Sequence, residues 1–142
     1  MADPRADVDL IGIDYEAVTL KIDNSSITYD ATKANGSAQA GLAVTLSAAK
    51  TVALAADGEV VLGKLISVES DNLAVVQVGG FCTLPAGTGA SLSLGKKIVG
   101  AVLVAAEGYI REVNTATAAE LGIAAHAIYD AGTTTAVVVK LD

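Results

Sequence analysis

The feature that most limits this chain is how often it is interrupted. From residue 18 onward, short runs of Val, Leu, Ile and Ala are broken by Gly-, Asp- and Asn-containing turns. The breaks come roughly every 8–12 residues, the spacing of an all-β sandwich or barrel. No segment sustains a helical period. Val18, Leu20 and Ile22 alternate with Thr19, Lys21 and Asp23, the period-two pattern of a half-buried strand. The segment Ile27-Thr28-Tyr29 follows the Asn24-Ser25-Ser26 turn and is its expected partner. In the Ala/Ser/Thr-rich stretch 31–50, Leu42, Val44 and Leu46 fit a strand, and Leu42, Leu46 and Ala49 fit a helix. Gly36 and Gly41 favour extended chain.

Further along, an Asp57-Gly58 turn leads to a hairpin of Val60–Ile66 and Leu73–Val76 around Ser70-Asp71-Asn72. Leu84–Gly87 and Gly87–Gly89 read as loop, Ser91–Leu94 as alternating chain and Gly95-Lys96-Lys97 as a turn. Ile98–Val104 reads as a buried strand, with a turn at Glu107-Gly108 into Tyr109–Val113. Thr115–Leu121 is the one candidate helical turn, capped by Thr115 and stopped by Gly122. Ile123–Tyr129 and Ala136–Leu141 close the chain. A weak echo links the hairpin after Leu62-Gly63 with the one after Leu121-Gly122. The expected fold is mainly β: a compact sandwich or barrel-like domain over 18–142, at most one short helix, and an N-terminal arm over 1–17.

Composition supports a packed core and restricts partners. Of 142 residues, 52% are hydrophobic, dominated by small branched types, with no Trp, one Phe and four Tyr. Such side chains suit closely packed strands. The net charge is −7, and residues 1–30 carry seven acidic against two basic residues. That field repels phosphate backbones and acidic membrane surfaces, so neither nucleic acid nor membrane is an expected partner. The longest apolar run, Ile98 to Ala106, is far below the ~20 residues of a membrane-spanning helix. The start MADPRADVD has no basic-then-apolar signal pattern, and the chain reads as soluble and made in the cytoplasm. Asn24-Ser25-Ser26 and Asn35-Gly36-Ser37 match the glycosylation pattern but read as turns.

Candidate chemistry is sparse. His126 lies in the apolar run Ile123–Ile128 and reads as a structural or half-exposed residue, and Cys82 reads as a small buried hydrophobe. A Cys–His pair would need hydrogen-bond contact and an orienting third group, which no local signature supports. The acids follow no metal-loop spacing, and Gly79-Gly80 and Gly87-Thr88-Gly89 lack the Lys-Ser/Thr of a phosphate cradle. No catalytic, metal or cofactor-binding residue is expected, and the chain does not read as an enzyme.

From residue 28 onward the order of motifs is distinctive: Tyr29–Lys33, then Leu46–Val52, then ADGEVVLGKL at 56–65. AVVQVGGF at 74–81, Leu84-Pro85, LGKKIV at 94–99 and a closing ELGIA at 120–124 follow. In these the chain resembles the small capsid decoration, or cement, proteins of tailed bacteriophages. The resemblance implies a β-tulip-type fold and a homotrimer on the outer surface of the virion, bound to the major capsid protein and bridging its subunits. It implies stabilisation without a reaction and without a cofactor. The acidic first thirty residues have no counterpart in it. Within the arm, Pro4 and the apolar patch of Ile11, Ile13 and Tyr15 are the expected capsid or subunit contacts, because an apolar patch among acids needs a partner. That patch either adds a strand to a neighbouring sheet or forms an edge of its own domain. The alternative function is a β-sandwich module that recognises a carbohydrate or other surface ligand, against which the shortage of aromatics counts.

Overall fold

The computed structural model describes residues 11, 13–88, 92–114, 128–130 and 136–141. Its strands are β1 (Glu16–Ile22), β2 (Ala43–Ala48), β3 (Thr51–Leu54), β4 (Gly63–Val68) and β5 (Leu73–Pro85). They continue with β6 (Ile98–Leu103), β7 (Ala106–Glu112), β8 (Ile128–Asp130) and β9 (Ala136–Leu141). The expected mainly β, barrel-like fold is what forms. Pairing runs β1–β3–β2–β4–β5, and β5 pairs back with β1 to close a five-stranded barrel. Within it β1 and β3 are parallel and the other pairs antiparallel. Closure leaves none of these strands as a free edge along its paired length.

Two apolar clusters fill the molecule. Ile22, Val44, Val52, Leu54, Leu65, Val68 and Val76 line the barrel interior, together with Ile27. The second cluster joins Cys82 and Leu84 of β5, Val137, Val139 and Leu141 of β9, and Ile98 and Ile110 of the β6–β7 hairpin. β5 serves both. Its first half pairs with β1 and β4 and its second half with β9. The change falls at Gly79-Gly80, where Gly80 takes φ +83°, a conformation open to glycine. The buried side chain of Gln77 donates to the carbonyls of Gly79 (3.0 Å) and Phe81 (3.3 Å), satisfying oxygens that the bend exposes.

Several elements differ from the sequence reading, each for a packing reason. Ile27–Tyr29 forms no strand, because β5 and β3 already occupy both sides of β1; Ile27 instead plugs the barrel. Val60–Leu62 precedes its strand, although Leu62 N–H bonds to the Val44 carbonyl. β4 begins at Gly63, where the main chain of β5 crosses so closely that a Cβ would fall on the Gln77 carbonyl oxygen. Leu84 and Pro85 belong to β5, not to a loop. Pro85 can end a ladder because the N–H it lacks is not needed there. Leu92–Leu94 is not a strand, though Leu92 packs on the second core. The β6–β7 turn falls at Val104-Ala105 rather than Glu107-Gly108. The only helical piece among the described residues is a 3-10 turn at Ala34–Gly36. The candidate helix 115–121 and most of the Ile123–Tyr129 run lie outside the described residues, as does the Leu121-Gly122 half of the echo.

Candidate interaction surfaces

The described end of the arm lies against the barrel. Phe81 N–H donates to the Ile13 carbonyl at 3.1 Å, and Glu16 stands opposite Gly79. A Cβ on Gly80 would collide with the Ile13 carbonyl oxygen, so the arm lies directly on the bend of β5. The main chain at 13–15 forms no strand and joins β1, whose two sides are taken by β3 and β5. The side chains are another matter: Ile11, Ile13 and Tyr15 are 55%, 46% and 53% exposed. Pro4 lies outside the described residues. The arm segment is thus anchored by its backbone and displays its apolar side chains.

A second apolar display was not legible as such in the sequence. β6 and β7 join through a two-residue loop, with Leu103 opposite Ala106 and positive φ at both Val104 (49°) and Ala105 (76°). That is the geometry of a type I′ turn, which Asn-Gly ordinarily fills. A β-branched residue at positive φ is strained. Yet Val104 is 85% exposed and Leu103 38%. The loop is braced from one side: Val104 N–H donates to Thr88 Oγ1 (3.0 Å), and Thr88 N–H to the Val102 carbonyl (2.9 Å). The available signal was a negative one, an apolar run that ends in no turn-forming residue.

Among the described residues, Cys82 and Asp23 take structural positions. Cys82 is buried against β9 within the second core, and burial pushes its thiol up to about 11, with Lys64 opposing weakly. At neutral pH it is a thiol and not a nucleophilic thiolate. His126 lies outside the described residues. Asp23 organises the turn after β1: its carboxylate accepts from the Ser25 and Ser26 hydroxyls (2.9 and 2.7 Å) and from the backbone N–H of Ser26 and Ile27 (both 3.0 Å). Partial burial works to raise its pKa. The Ser26 hydroxyl, the Ile27 and Ser26 N–H groups and the Ser25 hydroxyl outweigh it, and the carboxyl falls to about 2. Ser26 Oγ also accepts from Leu54 N–H at 2.9 Å, tying this turn to the end of β3 and seating Ile27 in the barrel. On the other lobe, Arg111 Nε donates to Asp57 Oδ1 at 2.8 Å across the surface.

Among the described residues no group of three or more His, Cys, Asp or Glu is placed to hold a metal ion. No helix there is long and apolar enough to cross a membrane. In comparisons with protein-family profiles, curated proteins and solved structures, nothing matches the chain significantly.

Proposed function

We propose that this chain is a capsid decoration protein: it binds the outer surface of a viral shell and stabilises the lattice by bridging major capsid protein subunits. The observation that carries the reading is the display of apolar side chains on rigid supports. Ile13 and Tyr15 stand on a backbone hydrogen-bonded to β5 at Ile13, with exposed Ile11 nearby in sequence, and Leu103 and Val104 on a braced hairpin tip. Burying one such side chain against a partner contributes about 1.5–3 kcal/mol. Rigid supports limit the ordering cost that offsets this. The motif resemblance from residue 28 onward supports the same reading, including a homotrimer on the virion exterior.

The physical logic of such a protein needs no reaction. A molecule that binds the assembled lattice and not its free subunits deepens the assembled state by mass action. Joining several copies multiplies weak contacts through effective concentration. An acidic body suits it, since its field disfavours nonspecific association with nucleic acid. The test is addition of purified protein to mature shells that lack it. Saturable binding and a higher temperature of shell disruption are expected, both weakened by Val104→Asp and by Ile13→Asp. Sedimentation should give three copies per particle of the free protein.

A further inference from the structure

The loop after Ile27 and the end of β4 border an open cleft of about 490 Å³. This lies within the roughly 300–1,000 Å³ of small-molecule sites. The residues lining it include Tyr29, Lys33, Asn35, Ser67 and Glu69, which are polar or charged. We propose that this cleft binds a neutral saccharide.

The walls are built and not incidental. Asn35 and Gly36 hold successive positive φ values of 57° and 75°. Gly36 presses so tightly on β4 that a Cβ would fall on the Val68 carbonyl oxygen. The Tyr29 ring lies against Gly36 yet is 38% exposed. Asp30 N–H to the Gly36 carbonyl (2.8 Å) and Lys33 N–H to the Asp30 carbonyl (3.1 Å) fix one wall. Glu69 N–H to the Leu73 carbonyl (2.8 Å) and Asn72 N–H to the Glu69 carbonyl (3.0 Å) fix the other. Asn and Gly both accept positive φ readily, so this turn holds its shape at little cost.

The chemistry of the lining selects the ligand. One ammonium and one carboxylate leave no net formal charge, so neither a phosphate nor a bare cation is favoured. The cleft is too polar for an apolar molecule. A sugar hydroxyl both donates and accepts, and it can satisfy ammonium, amide, hydroxyl and carboxylate in turn. The Tyr29 ring offers the one aromatic surface for a pyranose. An open cleft of this kind binds weakly, with Kd on the order of 1 mM. Many copies on one particle would add avidity towards a glycan-bearing surface.

This proposal goes beyond the cement reading and does not depend on it. The experiment titrates the full chain, followed by NMR, with glucose, galactose, mannose, N-acetylglucosamine and their disaccharides, and with inorganic phosphate as the anionic arm. Saturable shifts at Tyr29, Asn35 and Glu69 with at least one neutral sugar are expected. Asn35→Gly, which keeps the positive φ, and Glu69→Ala should each weaken binding about tenfold while leaving the melting temperature and shell binding unchanged. No saturable sugar binding, sugar binding indifferent to both variants, or a preference for phosphate would overturn the assignment. A failure of shell binding in the wild type would leave it standing.

Discussion

At the scale of single residues, the molecule separates groups that hold the fold from groups held ready by it. Asp23 is of the first kind. Its carboxyl titrates near 2 in the folded chain against an ordinary 3.8. A depressed pKa means that its stabilising contribution is fully present above about pH 4 and is lost as pH falls through 2. Acid unfolding monitored by circular dichroism should therefore be less steep over that window in Asp23→Asn, which should also be less stable at neutral pH. Cys82 is of the same kind: with its thiol near 11, it should resist iodoacetamide at pH 7 until the chain is unfolded. Val104 and Ala105 are of the second kind. Val104→Asn with Ala105→Gly supplies the residues a type I′ turn favours and should raise stability by about 1 kcal/mol or more. The same change removes the apolar tip. It should weaken shell binding, a split that a purely structural turn would not show.

At the scale of elements, what could be read in advance depended on whether a strand's partners leave one face open. β1 alternates in its sequence and β9 in its burial, and β2 follows from Val44 and Leu46 once Gly41 breaks the helical option. β5 was half legible. Its apolar half Leu73–Val76 stands out, but Gly79-Gly80 and Pro85 look like loop residues. Gly80 and Pro85 are strand residues because β9 arrives from the far end of the chain to pair with them, while Gly79 pairs with Glu16 of β1. Val60–Leu62 fails for the converse reason: it is apolar and extended, yet the ladder begins at Gly63. Close main-chain approaches constrain Gly63 of β4, which abuts β5, and Gly80 within β5. Gly63→Ala places a methyl on the Gln77 carbonyl and should abolish folding, as read by loss of a cooperative melt. Gly80→Ala should be milder. It displaces Ile13 and Asp14, so hydrogen exchange at the Phe81 N–H should accelerate while β9 stays protected. Leu84→Ala, fully buried where β5 meets β9, should cost about 2–5 kcal/mol in denaturant unfolding.

At the scale of the whole molecule, a closed barrel and a second lobe share one long strand, and exposed apolar groups lie both on strands and on the arm and hairpin tip. The arm patch of Ile11, Ile13 and Tyr15 was legible because apolar residues stood among acids. The hairpin tip was not, because a strained Val-Ala turn is a backbone property that composition does not reveal. The measurement that bears most directly on the proposed function is the disruption temperature of mature shells lacking this protein, with and without added chain. The account predicts saturable binding and a rise in that temperature, both reduced by Val104→Asp in a chain that still folds. Shells that neither bind the wild-type chain nor gain stability from it would contradict the account.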